Sequence, residues 1–139
     1  EYFMHRIFYR DRDDVGAVVH AHSTYSATLA ALHWEIEPIH YLIGYAGKNV
    51  RCAPYELFGT EKLAKEALEA MEDRNACLLA NHGLLAIGGT IEYAFDTAEE
   101  IEFVAELYYK AKCVGEPIPL KSEEMDEFLE KFKPYGKKL

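Results

Sequence analysis

The stretch VVHAHSTYS, from Val18 to Ser26, ends an apolar run on two histidines separated by a single alanine. In an extended strand, residues i and i+2 project from the same face, about 6.6 Å apart along the chain. His20 and His22 therefore point the same way, and their ring nitrogens can converge on one ion. Neutral imidazole binds zinc at about 2.0–2.1 Å, and a catalytic zinc site needs three protein ligands with a fourth position open. The same spacing also suits two histidines with structural or surface roles, so the pair alone leaves both readings open. A third ligand must come from another segment. His82 is the best candidate, because it too interrupts an apolar stretch, ACLLANHGLLAIGG. Gly83 would let the backbone turn sharply there. A core histidine bonded to a carbonyl is the alternative. His5, on a helical pattern, His33, near a helix end, and His40, in PIHYL, read as structural.

Three neutral ligands leave a divalent ion its full charge, which suits polarising a carbonyl oxygen or stabilising a developing enolate. Such chemistry also needs a general base, usually a carboxylate. Spacing does not select one from the 24 acidic residues. Glu92, Asp96, Glu99, Glu102 and Glu106 fall along one long helical pattern and read as its solvated face.

The elements that must position these groups alternate in type. EYFMHRIFYR has apolar residues at helical spacing, GAVVHAH reads as a short buried strand, and TYSATLAALH returns to helix. PIHYLIGYAG and VRCAPY are expected to be strands around a glycine-containing turn. GTEKLAKEALEAMEDR is an amphipathic helix with Leu63, Ala67, Leu68 and Met71 on one face. ACLLANHGLLAIGG reads as two strands joined at NHG. The longest helix runs from Ile91 to about Cys113, with Ile91, Ala94, Phe95, Ala98, Ile101, Val104, Ala105 and Tyr108 as its inner stripe. Ser122 is expected to cap a last helix, with Glu123 and Glu124 in its first turn. This order predicts one α/β domain over residues 1–139, a three-layer α/β/α sandwich around a single sheet.

With 139 residues, half of them apolar, the chain can bury a full core. A net charge of -9 argues against nucleic acid or an anionic membrane as partner. Cys52, Cys77 and Cys113 are widely spaced and odd in number, which favours a reducing, cytoplasmic setting over a disulfide framework. The first residue is Glu1, inside a helical pattern with no preceding cap, so an N-terminal portion is expected to be missing.

Taken together, AVVHAHSTYSATLAAL, PIHYLIGYAG, CAPYELFGT, NHGLLA and EKFKPYG resemble the class II aldolase/adducin family, in order and across essentially the whole chain. The resemblance implies a fold of the class II aldolase type and a catalytic zinc ion held by His20, His22 and His82. It places the acid/base glutamate at Glu1, nineteen residues before the first ligand. Tyr41 matches a proton donor supplied by a neighbouring subunit, and Tyr135 a tyrosine of a C-terminal tail. Phe58 and Phe132 match aromatic residues of an aldehyde pocket, although core packing also accounts for a phenylalanine at either place. The implied reaction is reversible cleavage of a ketose 1-phosphate, such as L-fuculose 1-phosphate, to dihydroxyacetone phosphate and an aldehyde such as L-lactaldehyde. The implied assembly is a homotetramer with sites between subunits, acting on a small phosphorylated sugar. The family's phosphate-binding loops precede the glutamate and are absent from this sequence. A pentulose-phosphate epimerase and a sugar-phosphate dehydratase share the scaffold, as does a non-catalytic adducin-like interaction domain. Retention of all three histidines argues against the last.

Overall fold

The computed structural model describes the backbone of residues 1–136 and the side chains of residues 1–132. Among the described residues there are five α-helices, α1 Tyr2–Asp11, α2 Thr24–Ala31, α3 Glu61–Ala70, α4 Ile91–Val114 and α5 Ser122–Gly136. They surround four strands, β1 Ala17–Ala21, β2 Arg51–Ala53, β3 Ala76–Leu79 and β4 Gly83–Gly88. The sheet runs in the order β1-β4-β3-β2 and is mixed: β4 is antiparallel to both neighbours, while β2 and β3 are parallel.

Strand alternation divides the core in two. Val18, Cys77, Leu79, Leu85 and Ile87 face α1 and α3, where they pack with Met4, Ile7, Phe8, Leu63, Ala67 and Met71. Ala76, Leu78, Leu84 and Ala86 face the other way, onto Leu29 and Ala30 of α2 and Ile101, Val104 and Tyr108 of α4. The result is the expected three layers. On the first side, two arginines tie neighbouring elements to the end of α3. Arg12, just past α1, donates to the carbonyls of Met71 and Arg74, and Arg51 of β2 donates to those of Ala70 and Glu72. The carbonyls lie at and just beyond the C-terminal end of α3, where helix-end acceptors need partners from outside the helix, and that of Met71 also accepts from Arg74 N–H.

Several sequence-based expectations need correction. PIHYLIGYAG is not a strand but contains a 3₁₀ helix, Tyr41–Tyr45, and the one pairing near it is an isolated bridge between Ile36 and Val50. Apart from Tyr41, every residue from Pro38 to Gly47 is buried or half-buried, without the alternation of a strand that buries one face. Gly44 belongs there because the Phe128 ring of α5 lies where a β-carbon would be. On α4 the stripe is buried from Ala94 to Tyr108, but Ile91 and Phe95 are exposed. Ser122 opens α5 without capping it. Glu124 instead reaches back to the Lys121 N–H at 2.8 Å, and Ser122 Oγ accepts from Lys48. No helix among the described residues is long and apolar enough to cross a membrane.

Candidate metal centre

β1 carries His20 opposite Leu85 of β4, and His22 follows one residue beyond the strand. Both lie at the sheet end where β3 turns into β4, and His82 is the last residue of that turn. Three backbone donors anchor it. Ala80 N–H reaches the Ala53 carbonyl of β2, Asn81 N–H the Ala30 carbonyl of α2, and His82 N–H the Leu79 carbonyl of β3, each at 3.0 Å. Asn81 takes φ 56, the left-handed value that the third residue of a type II turn requires. The left-handed bend therefore falls on Asn81 and not, as expected from sequence, on Gly83. Gly83 serves a different purpose. A β-carbon there would collide with the Ala21 carbonyl oxygen and stand 3.2 Å from Cδ2 of His22. Glycine lets β1 and β4 close up until the two histidine segments meet.

The outcome is a cluster in which His20 Nε2 lies 3.2 Å from His22 Nε2 and 3.1 Å from His82 Nε2. Ligand atoms of all three fall within 4.8 Å of one another. Two nitrogens on a tetrahedral zinc ion would be about 3.3–3.4 Å apart, given the usual metal–nitrogen distance and angle. The donor set fits. His20 Nδ1 is 2.9 Å from the Leu84 carbonyl oxygen, which can only accept, so Nδ1 carries the proton and Nε2 keeps its lone pair. Burial pulls His20 below the ordinary imidazole value, with the Leu84 contact opposing it. Burial also depresses His82, reinforced by the charges of His20 and His22. Both effects favour neutral imidazole, the form that ligates. The three histidines are thus positioned to coordinate a divalent metal ion such as Zn2+.

Glu1 precedes α1, and its carbonyl accepts the first helical hydrogen bond, from His5 N–H at 3.0 Å. Its carboxylate is not one of the clustered ligands, yet its charge acts on both His20 and His82, in the direction opposite to burial. Phe58 lies in the segment between β2 and α3, which leaves the sheet beside the His82 turn; at 76% exposure it is not a core residue. Tyr41 and Phe132 lie elsewhere. Tyr41 is 52% exposed, stacks on His40 with ring centroids 4.7 Å apart, and meets Phe128 edge-on at 5.3 Å. Phe132 stacks on Phe128 and touches Tyr45. The side chain of Tyr135 lies outside the described residues.

One contributor was read wrongly from sequence. Glu102 of α4, assigned to a solvated face, accepts from the N–H groups of Tyr25 and Ser26 and from Ser26 Oγ at 2.8–2.9 Å. It caps the first turn of α2, two residues past His22, where a negative charge suits the helix dipole. Nothing in its spacing along α4 distinguishes it from its acidic neighbours.

A three-layer α/β domain with three histidine nitrogens converging at one sheet end defines a metal centre of the class II aldolase type. Residues 1–109 match the Class II Aldolase and Adducin N-terminal domain, and the chain belongs to this family. It is 55% identical over 133 residues to a 5-deoxy-D-ribulose 1-phosphate aldolase of Bacillus thuringiensis, covering 96% of this chain and 62% of that protein. Over 138 residues it is 41% identical to the L-fuculose phosphate aldolase of Escherichia coli K12, covering 98% of this chain and 64% of that one. A solved L-fuculose 1-phosphate aldolase superposes with a TM-score of 0.94 at 49% identity, over 96% of this chain and 63% of that structure. The chain thus spans less than two thirds of the length of these relatives.

Proposed function

We propose that the protein is a zinc-dependent aldolase that reversibly cleaves a ketose 1-phosphate into dihydroxyacetone phosphate and an aldehyde. The observation that carries this reading is the convergence of His20, His22 and His82, with His20 Nε2 3.1–3.2 Å from the Nε2 of each of the other two, in a chain of this family. A bound zinc ion supplies a fixed positive charge for the oxygen that becomes negative when the carbon–carbon bond breaks. His20, His22 and His82 hold that charge in place, and the Leu84 carbonyl keeps His20 in the ligating tautomer.

In the synthetic direction Glu1 removes a proton from the carbon of dihydroxyacetone phosphate beside its carbonyl. The resulting electron pair forms the bond to the aldehyde carbon, and the Tyr41 phenol delivers its proton to the aldehyde oxygen. A phenol suits the last step because it holds its proton at neutral pH. Cleavage is the reverse. The placement of Glu1, at the start of α1 and close enough for its charge to act on two of the histidines, supports its part. Tyr41 is exposed, stacked on His40 and edge-on to Phe128 of α5 in its own chain. That position suits a donor working in the site of a neighbouring subunit, within a homotetramer. Phe58 and Phe132 are assigned to the aldehyde pocket on resemblance, and the exposure of Phe58 leaves it available for such a contact.

For the substrate, 5-deoxyribulose 1-phosphate is the first choice, on the 55% identical relative. L-fuculose 1-phosphate is the second, on the relative of known structure at 49% identity. The test is release of dihydroxyacetone phosphate from each compound by the full-length protein, followed through NADH-linked reduction. Cleavage is expected to stop on chelation and return with zinc. Zinc-loaded protein that releases none from either compound would refute the aldolase reading.

A further inference from the structure

Among the described residues, His33, Asp73 and Asn81 are the non-glycine positions with positive φ. Two of these, His33 at φ 56 and Asn81 at φ 56, are hydrogen-bonded to each other across 48 positions of sequence. His33 ends α2. Its N–H donates to the Ala30 carbonyl and the Trp34 N–H donates to the Leu29 carbonyl, both at 3.1 Å. That pair of bonds is the Schellman arrangement, whose left-handed residue is usually glycine because a β-carbon strains it. Burial does not explain a histidine here, since His33 is exposed. What it offers beyond glycine is the ring Nε2, 2.5 Å from Asn81 Oδ1. An amide oxygen accepts, so the ring donates.

Asn81 immediately precedes His82. Its N–H is bound to the Ala30 carbonyl, the same oxygen that receives the His33 N–H. The end of α2 therefore grips the β3–β4 turn twice, through backbone at Ala30 and through side chain at His33. His20 has its far ring nitrogen fixed by Leu84, whereas no hydrogen bond among the described residues fixes Nδ1 of His82. The direction of His82 thus depends on the turn that carries it. We infer that His33 is a positioning residue of the metal centre, whose imidazole holds Asn81 and thereby aims His82 at His20 and His22. This rests on the three-histidine metal centre proposed above. A tolerated departure from glycine, spent on a contact to the residue beside a metal ligand, is where strain and function are expected to coincide.

The test compares zinc affinity, by competition with a chromophoric chelator, in the wild type and in His33→Gly, His33→Gln and Asn81→Gly variants. Glycine is the residue best suited to both left-handed positions, so a merely structural role predicts unchanged or improved metal-free stability and unchanged zinc affinity. Positioning predicts zinc held about 10- to 100-fold more weakly in His33→Gly, at undiminished urea midpoint of the metal-free protein, the usual scale for a group that orients a ligand. Asn81→Gly should match that loss, and the double variant should be no worse than either single one. His33→Gln, which keeps an N–H donor of similar reach, should recover most of the affinity. The visible absorption of the cobalt-substituted protein should shift in His33→Gly and return in His33→Gln. Wild-type affinity and cobalt spectrum in folded His33→Gly overturn the inference, as does a loss of affinity matched by a fall in metal-free stability. A wild type that holds no zinc overturns the metal centre itself, and the inference with it.

Discussion

The histidine end of the sheet and the aromatic patch over the 3₁₀ helix differ in how much one chain accomplishes. At the sheet end, β1, β2, β3, α2 and the start of α1 all contribute, and His20 Nε2 lies within hydrogen-bonding distance of the ring nitrogens of both His22 and His82. In the patch, the rings of Tyr41, Tyr45, Phe128 and Phe132 form a chain of aromatic contacts flanked by His40 and Tyr93, with the Tyr41 side chain left exposed. Both regions hold residues that family resemblance ties to the same reaction. A single chain builds the first as a complete three-histidine set, whereas the second has a role in the reaction only under the proposal made above, in which a neighbouring subunit completes it.

The largest expected effect breaks the first region outright. His82→Ala should release the metal while leaving most of the fold, because the turn is held by backbone bonds to three elements. Metal analysis of the purified variant checks this, and unchanged zinc content would remove His82 from the ligand set. Next, Glu1→Gln should retain zinc and lose aldol cleavage by roughly 100-fold or more, the usual scale for a general base. Near-normal turnover in the full-length variant would move that role elsewhere. Gly83→Ala should lower stability by about 1–3 kcal/mol, the scale of an overpacked contact, as β1 and β4 are forced apart. It should weaken zinc binding too, and a urea melt with a zinc titration reads both.

The smallest expected effect probes the second region. Glu1→Gln and Tyr41→Phe subunits should each be nearly inactive alone, yet mixed oligomers should regain part of the activity at interfaces that pair an intact Glu1 with an intact Tyr41. Hybrids confirmed by mass that stay as inactive as their parents would confine Tyr41 to its own chain.

What could be read from sequence follows the range of the interactions involved. The shared face of His20 and His22 depends only on strand periodicity, and β1 keeps it. The buried faces of α1 and α3 follow from helical spacing in the same way. His82 was legible as an interruption, but the device that bends its turn was not. The left-handed residue is Asn81, and Gly83 is dictated by the Ala21 carbonyl on another strand. PIHYLIGY misled because its aromatic, β-branched composition suits a strand, while the packing of its 3₁₀ helix, with Gly44 under the Phe128 ring of α5, is set far along the chain. Glu102 was invisible for a related reason, since its partners lie 76 and 77 positions earlier in the chain.

That last separation bears on the order in which the molecule assembles. The first-turn amides of α2 have no acceptor supplied by their own neighbourhood; Glu102 arrives only when α4 is in place. Contacts so distant along the chain close late and slowly. The exit of β1 at His22 should therefore stay loose until α4 docks, so a nascent or refolding chain acquires its metal grip near the end of folding. Pulse-labelled hydrogen exchange should show Tyr25 and Ser26 gaining protection together with the middle of α4, after the β3–β4 hairpin is already closed.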